Sequence, residues 1–331
     1  MIDSSDFIRI PYSGDLTEAG IAYVLRSLPL SLDRAVDSPY PAIRRTVVRA
    51  AVELAFRRYL SGQDIPFDVQ VATPFTAPDR YDVSLGGHRC DLQCFMVSQR
   101  EKISLLRRDP QALLNVPALV PADGHAGSVH SGHDLYVFAF VTGLIAASTT
   151  ALKKAAETGQ PYYLLHVMGA EWSQPPIWKP LGQLAFTSES DGELPIEISG
   201  QDAGREFLSR TLRLPPKSKV FADDPFYALT AVHVAGFPNA RLEIGSPTRN
   251  ATHVVRPTEW GNIWVYGMDI YLAGYISHQD FHQQARSIAP NSRVFQDDRT
   301  HGKNLAVEVS ELNPLSGLFE NVRAWDRNRT L

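Results

Sequence analysis

Residues 81–94, YDVSLGGHRCDLQC, bring chemistry-bearing side chains into an ordered pattern. Two alternating runs flank Gly86-Gly87, the signature of a two-residue β-hairpin. That turn sets Leu85 opposite His88, Ser84 opposite Arg89, Val83 opposite Cys90, Asp82 opposite Asp91, and Arg80 opposite Gln93. Period-two alternation then sorts the faces. Tyr81, Val83, Leu85, Cys90, Leu92 and Cys94 share a core face, the cysteines serving as small hydrophobes. Asp82, Asp91 and Gln93 point the other way. Two carboxylates opposed across a hairpin have Cβ atoms roughly 5 Å apart and repel unless compensated. A hard divalent cation on oxygen ligands, Mg²⁺ or Mn²⁺, compensates them. So would Arg80 or Arg89, which leaves a solvated polar face as the alternative.

Stepping outward, a helix is expected over residues 42–60, AIRRTVVRAAVELAFRRYL. At about 100° per residue Ile43, Val47, Ala50, Ala51 and Leu54 share its apolar face. Glu53 stands at the edge of that face, where it reaches the carboxylate pair or pairs with Arg49 or Arg57. A shorter helix is expected over 16–28, and strands over 67–72, 80–85, 89–97, 135–141 and 162–168. Residues 98–133 read as a polar stretch with Pro110, Pro117 and Pro121, ending in a His/Gly/Ser-rich loop. Residues 135–152 carry no charge, but a β-branched and aromatic strand followed by a helix explains them better than a membrane span. Short turn-bounded runs make 181–256 β-rich. Residues 263–276 read as one or two buried strands, and Ser277 caps a helix over 278–288. The tail after Pro290 has no assignment.

The order of a helix with Glu53, a strand with Asp82, and a strand with Asp91-Leu92-Gln93 resembles the PD-(D/E)xK nuclease superfamily. That group includes many restriction enzymes, junction resolvases and repair nucleases. HDLYVFAFV at 133–141 looks like the buried strand that follows there, and AGYISHQDF at 273–281 resembles the strand-to-helix ending of several members. The resemblance covers roughly 42–168 and 258–290. It implies an α/β fold, a restriction-endonuclease-like mixed sheet flanked by helices, with an inserted or appended β-rich domain. The corresponding division is an N-terminal segment 1–40, a core over 41–170 and 257–331, and the β-rich segment 171–256. It also implies a Mg²⁺- or Mn²⁺-dependent DNA endonuclease, a restriction or phage-defence enzyme. Asp82 and Asp91 hold the metal with Glu53, and Gln93 positions water. The departure is Gln93, where the family usually carries a charged Lys. Arg44, Arg45, Arg49, Arg100, Lys102, Arg107 and Arg108 are candidates for phosphate contacts, against the reading of solvated helix faces.

Bulk properties set the bounds. The 331 residues suffice for two domains. A formal net charge of −4 argues against a histone-like binder, though not against a local basic patch. Of 32 cationic residues 25 are Arg, which suits bidentate phosphate recognition but equally a GC-rich coding sequence. Two closely spaced cysteines and a start lacking a signal-peptide pattern lead us to expect a reduced, cytoplasmic setting without membrane. DNA is the expected partner, with a second copy or a partner protein as a further associate. His125, His130, His133 and Asp134 could ligate zinc, but loop polarity or substrate contact fits them better. No nucleophile-elbow sequence supports a serine hydrolase. Trp172, Trp178 and Trp260 read as core aromatics sooner than a sugar or base platform. The alternatives are a catalytically inactive nuclease fold that binds nucleic acid or a partner subunit, and an interaction protein that binds no nucleic acid.

Overall fold

The computed structural model describes residues 2–31, 38–69, 83–127, 131–249 and 251–329 of this mixed α/β chain. It divides into two compact units. The first comprises Met1–Gly20, Arg45–Ile145 and Val265–Leu331, the second Ile21–Arg44 and Ala146–Trp264.

A five-stranded mixed sheet organises the first unit, in the order Ile8–Pro11, Tyr266–Ser277, Leu135–Leu144, His88–Val97, Val83–Leu85. Among the described residues of this sheet, only the His88–Val97 and Leu135–Leu144 pair is parallel. Parallel neighbours need a crossover connection, and the intervening residues supply one. The stretch read as polar and loop-like folds into the helix Arg100–Arg108, the strand Pro117–Pro121 and the short helix Ala122–Gly127. Ile103 and Leu106 are the buried positions of the first of these. Pro117–Pro121 pairs with Asn304–Glu308, itself paired with Arg286–Ile288, in a small antiparallel sheet. Val97, Leu106, Val120, Phe138, Phe140 and Val307 share one apolar cluster. Each of its large side chains contributes about 1.5–3 kcal/mol by leaving water.

Every residue from Leu135 to Gly143 is buried, as a strand covered on both faces requires. The Tyr40–Gly62 helix buries a face shifted from the expected stripe: Ile43, Val47 and Ala51 are buried together with Val48, Val52, Ala55, Phe56 and Leu60, while Ala50 and Leu54 are only half-buried. The helix Gly14–Ser31 meets it at Gly20, where a Cβ would stand 2.4 Å from the Val47 carbonyl oxygen. Only glycine permits that approach.

Some details go beyond or differ from the expectations. In the N-terminal segment Ile8–Pro11 adds an edge strand to the central sheet. Leu164–Val167 pairs with Ala228–Val234 in the second unit, not with the sheet that carries Asp91. Residues 266–277 form one long strand, bulged between Gly267 and Asp269 and between Leu272 and Gly274. The helix capped by Ser277 stops at Gln284, and Arg286–Ile288 turns extended to join the small sheet. The unassigned tail holds the strand Asn304–Glu308 and the helix Leu315–Arg329.

The second unit contains a five-stranded antiparallel sheet, Gly261–Asn262, Leu164–Val167, Ala228–Val234, Leu194–Gln201, Phe207–Leu214. A four-stranded sheet, Lys219–Ala222, Leu184–Ser188, Leu242–Ser246, Ala251–Val255, accompanies it. Among the described residues no helix is long and apolar enough to cross a membrane.

Candidate functional site

The hairpin forms in the expected register over the described residues: Val83 faces Cys90, Ser84 faces Arg89, and Leu85 faces His88. Gly86 and Gly87 have φ of +57° and +84°, the two positive values that a type I′ turn demands and glycine adopts without a Cβ penalty. Asp82, Arg80 and Tyr81 lie outside the described residues, as does His130. Val83, Leu85, Cys90 and Leu92 are buried as expected. Cys94 is only half-buried.

The opposite face is not plainly solvent. Asp91 sits beside Tyr136 and Gln93 beside Phe138 in the parallel pair, and both aromatics are buried. Asp91 and Gln93 therefore occupy the open end of a face whose other end is core. The Asp91 side chain is 22% exposed, enough to meet a ligand. Gln93 Nε2 donates to Asp91 Oδ2 at 2.8 Å. Arg49 Nη2, from the long helix, stands 3.4 Å from Asp91 Oδ1. A half-exposed pair of that length contributes on the order of 0–1 kcal/mol. Glu53 forms an ion pair with Arg57 one turn on in the same helix.

Histidines gather around Tyr136, the strand neighbour of Asp91. Burial, and secondarily the charge of Asp91, pushes the Tyr136 phenol up. Its hydroxyl lies 2.9 Å from His125 Nδ1, and His125 Nε2 lies 3.3 Å from His282 Nδ1. Tyr136 also stacks on His278 with ring centroids 3.9 Å apart. Burial first, then the neighbouring His282, lowers the His125 pKa. A neutral imidazole accepts a hydrogen bond at one ring nitrogen and donates one at the other. Asp134 has a structural task instead: Oδ1 accepts from the Arg89 amide at 3.0 Å and Oδ2 from the Ser131 amide at 2.7 Å. His133 is exposed.

Gln93 also lines a cleft of about 740 Å³ with Arg45, Phe95, Asp297, His301 and Lys303 among its walls. Sequence reasoning missed His301, Lys303, Asp297 and Tyr136. The first three arrive on a loop some 200 positions away, with no local motif to mark them. Of the expected phosphate contacts, Arg45 and Arg49 come to this centre. Arg44 donates to the Asn262 carbonyl oxygen within the second unit. Lys102 donates to the Phe295 carbonyl oxygen, and Arg107 faces Asp269. Arg100 and Arg108 stand on the exposed surface of their helix.

Among the described residues no group of three His, Cys, Asp or Glu side chains is disposed to hold a metal ion. No protein-family model, curated protein or solved structure matches the chain.

Proposed function

We propose that the chain is a Mg²⁺- or Mn²⁺-dependent endonuclease of the PD-(D/E)xK type, hydrolysing DNA phosphodiester bonds, with Asp91 and Gln93 at its centre. One observation carries the reading. A partly buried carboxylate and an amide two residues on are hydrogen-bonded on one strand face, and the amide opens into a cleft that also presents Arg45, His301 and Lys303. The neighbouring topology supports it: the strand bearing both residues runs parallel to a fully buried strand, after a crossover containing a helix.

Mg²⁺ is characteristically held by one or two carboxylates with its own waters, so Asp91 with Asp82 would hold it without a three-residue cluster. Bound there, the ion would supply a water of lowered pKa and neutralise charge on the phosphate. Asp91 contributes the oxygen ligand. Gln93 fixes the orientation of that carboxylate through Nε2, and its Oε1 can accept a hydrogen bond from attacking water. Arg45 and Arg49 attract the phosphate backbone. The pairing of Glu53 with Arg57 makes it a weaker ligand candidate than the two aspartates.

A second reading has its own observation. Arg49 beside Asp91 neutralises the carboxylate without metal, and Gln93 carries no charge where the family usually has Lys. A catalytically silent nuclease fold that only binds nucleic acid fits that arrangement. Incubating the protein with plasmid and single-stranded DNA, in Mg²⁺, Mn²⁺ or EDTA, separates the two. Metal-dependent cutting that disappears in Asp91→Ala is the expected result. Cutting unchanged in both Asp82→Ala and Asp91→Ala would sink the nuclease reading, and metal-independent binding without turnover would establish the silent one.

A further inference from the structure

The cleft beside Gln93 carries both signs of charge. Arg45, His301 and Lys303 line it, and so do Asp123 and Asp297. A bare phosphate would use only the cations. A nucleotide uses both, because base edges present amino and imino donors that carboxylates accept. The wall is also apolar in part, through Phe95, Leu119 and Pro121, and an aromatic side chain beside a basic groove is the usual platform for a base. The Phe95 ring is held in place by Phe140, with centroids 5.3 Å apart.

Size narrows the ligand further. At about 740 Å³ the cleft falls within the range of roughly 300–1,000 Å³ that encloses a small molecule of nucleotide size; a duplex does not enter it. Base edges in a duplex are engaged with their complement, whereas those of a single strand can be splayed and read. Burial raises the Asp297 pKa, with a smaller contribution from Asp298, while Arg45, His301 and Lys102 oppose that rise.

We infer that this cleft takes one unpaired nucleotide of a DNA strand, its phosphate on Arg45, His301 and Lys303 and its base against Phe95, Leu119 and Pro121. The step from binding to scission rests on the nuclease reading; the binding itself does not.

The test measures anisotropy of a labelled mixed-sequence oligonucleotide, as a single strand and as the duplex with its complement, in EDTA so that nothing turns over. Cytidine monophosphate serves as competitor. The single strand should bind about tenfold more tightly than the duplex, and the mononucleotide should compete weakly. Arg45→Gln and Lys303→Gln should each reduce the salt slope of single-strand binding by about 0.7. Lys153→Gln, on the exposed face of the Thr149–Glu157 helix, should leave it unchanged. Duplex binding as tight as the single strand's, or slopes unaltered in both cleft variants, would overturn the inference. A protein that cuts DNA through Asp91 without single-strand preference loses the cleft and keeps the nuclease. One that binds single strands through Lys303 and never cuts does the reverse.

Discussion

Gln93 and Asp91 form one unit: the amide nitrogen of the first donates to the carboxylate of the second at 2.8 Å. They stand two residues apart on one strand, so the alternation of the strand puts both side chains on the same face.

If the proposed nuclease reading holds, breaking that contact should slow DNA cleavage more than it weakens the fold. Gln93→Leu is expected to lower kcat by roughly 10²-fold, the order seen when one positioned polar group is removed from a hydrolytic centre. Gln93→Lys should restore or exceed the parent rate. Single-turnover cleavage with both variants checks this; equal rates in all three proteins would show that position 93 has no part in the chemistry.

The hairpin turn offers a stability test. Gly86 sits at φ +57°, and a Cβ there would meet Val322 Cγ2 at 3.3 Å. Gly86→Ala should cost about 1–2 kcal/mol from the left-handed backbone. Urea unfolding should show a lower midpoint with an unaltered slope.

Asp134 joins two segments through two amides, and it is buried. Asp134→Ala would leave both N–H groups without their carboxylate, at a cost of about 2–4 kcal/mol. Asp134→Asn retains one acceptor and should lose about half as much. Thermal unfolding of the two variants distinguishes a clamp from a passive loop residue, for which the losses would be negligible.

The second unit predicts an acid weakness. His166 Nε2 and His253 Nε2 stand 2.9 Å apart, so one bridging proton suits them and two do not. Burial chiefly lowers both from 6.5, against the raising influence of Glu259 on each and of Glu171 on His253. The unfolded chain therefore binds more protons below about pH 6.5. The stability these groups contribute is complete above that value and is lost as pH falls toward the folded pKa values. His166→Gln should flatten the decline between pH 7 and 5; an unchanged pH profile of urea midpoints would remove the pair as its cause.

The hairpin was legible because everything that makes it is local. Gly-Gly supplies the turn, period-two alternation supplies the faces, and together they set which residue opposes which. The helix Tyr40–Gly62 and the strand Leu135–Leu144 announced themselves by periodicity and by an unbroken apolar run. The cap at Ser277 was equally local: its side chain accepts from the Asp280 amide.

What the chain did not disclose depends on pairings between distant segments. Ile8–Pro11 is four residues long and gains its place only by bonding to Tyr266–Ser277. Phe207–Leu214 is largely half-buried or exposed, so it lacks the apolar alternation that marks a strand. Tyr136 stands beside Asp91 because the crossover sets two strands parallel in one register. His301 and Lys303 reach the cleft of Gln93 on a loop fixed by the Asn304–Glu308 strand. Sequence by itself determined the hairpin, its turn and the side chains it offers for chemistry, since short-range sterics and alternation decide those. Tertiary structure alone decided which cations, histidines and aromatics surround them, since that follows from burying the sheet on both faces, a property of the whole unit.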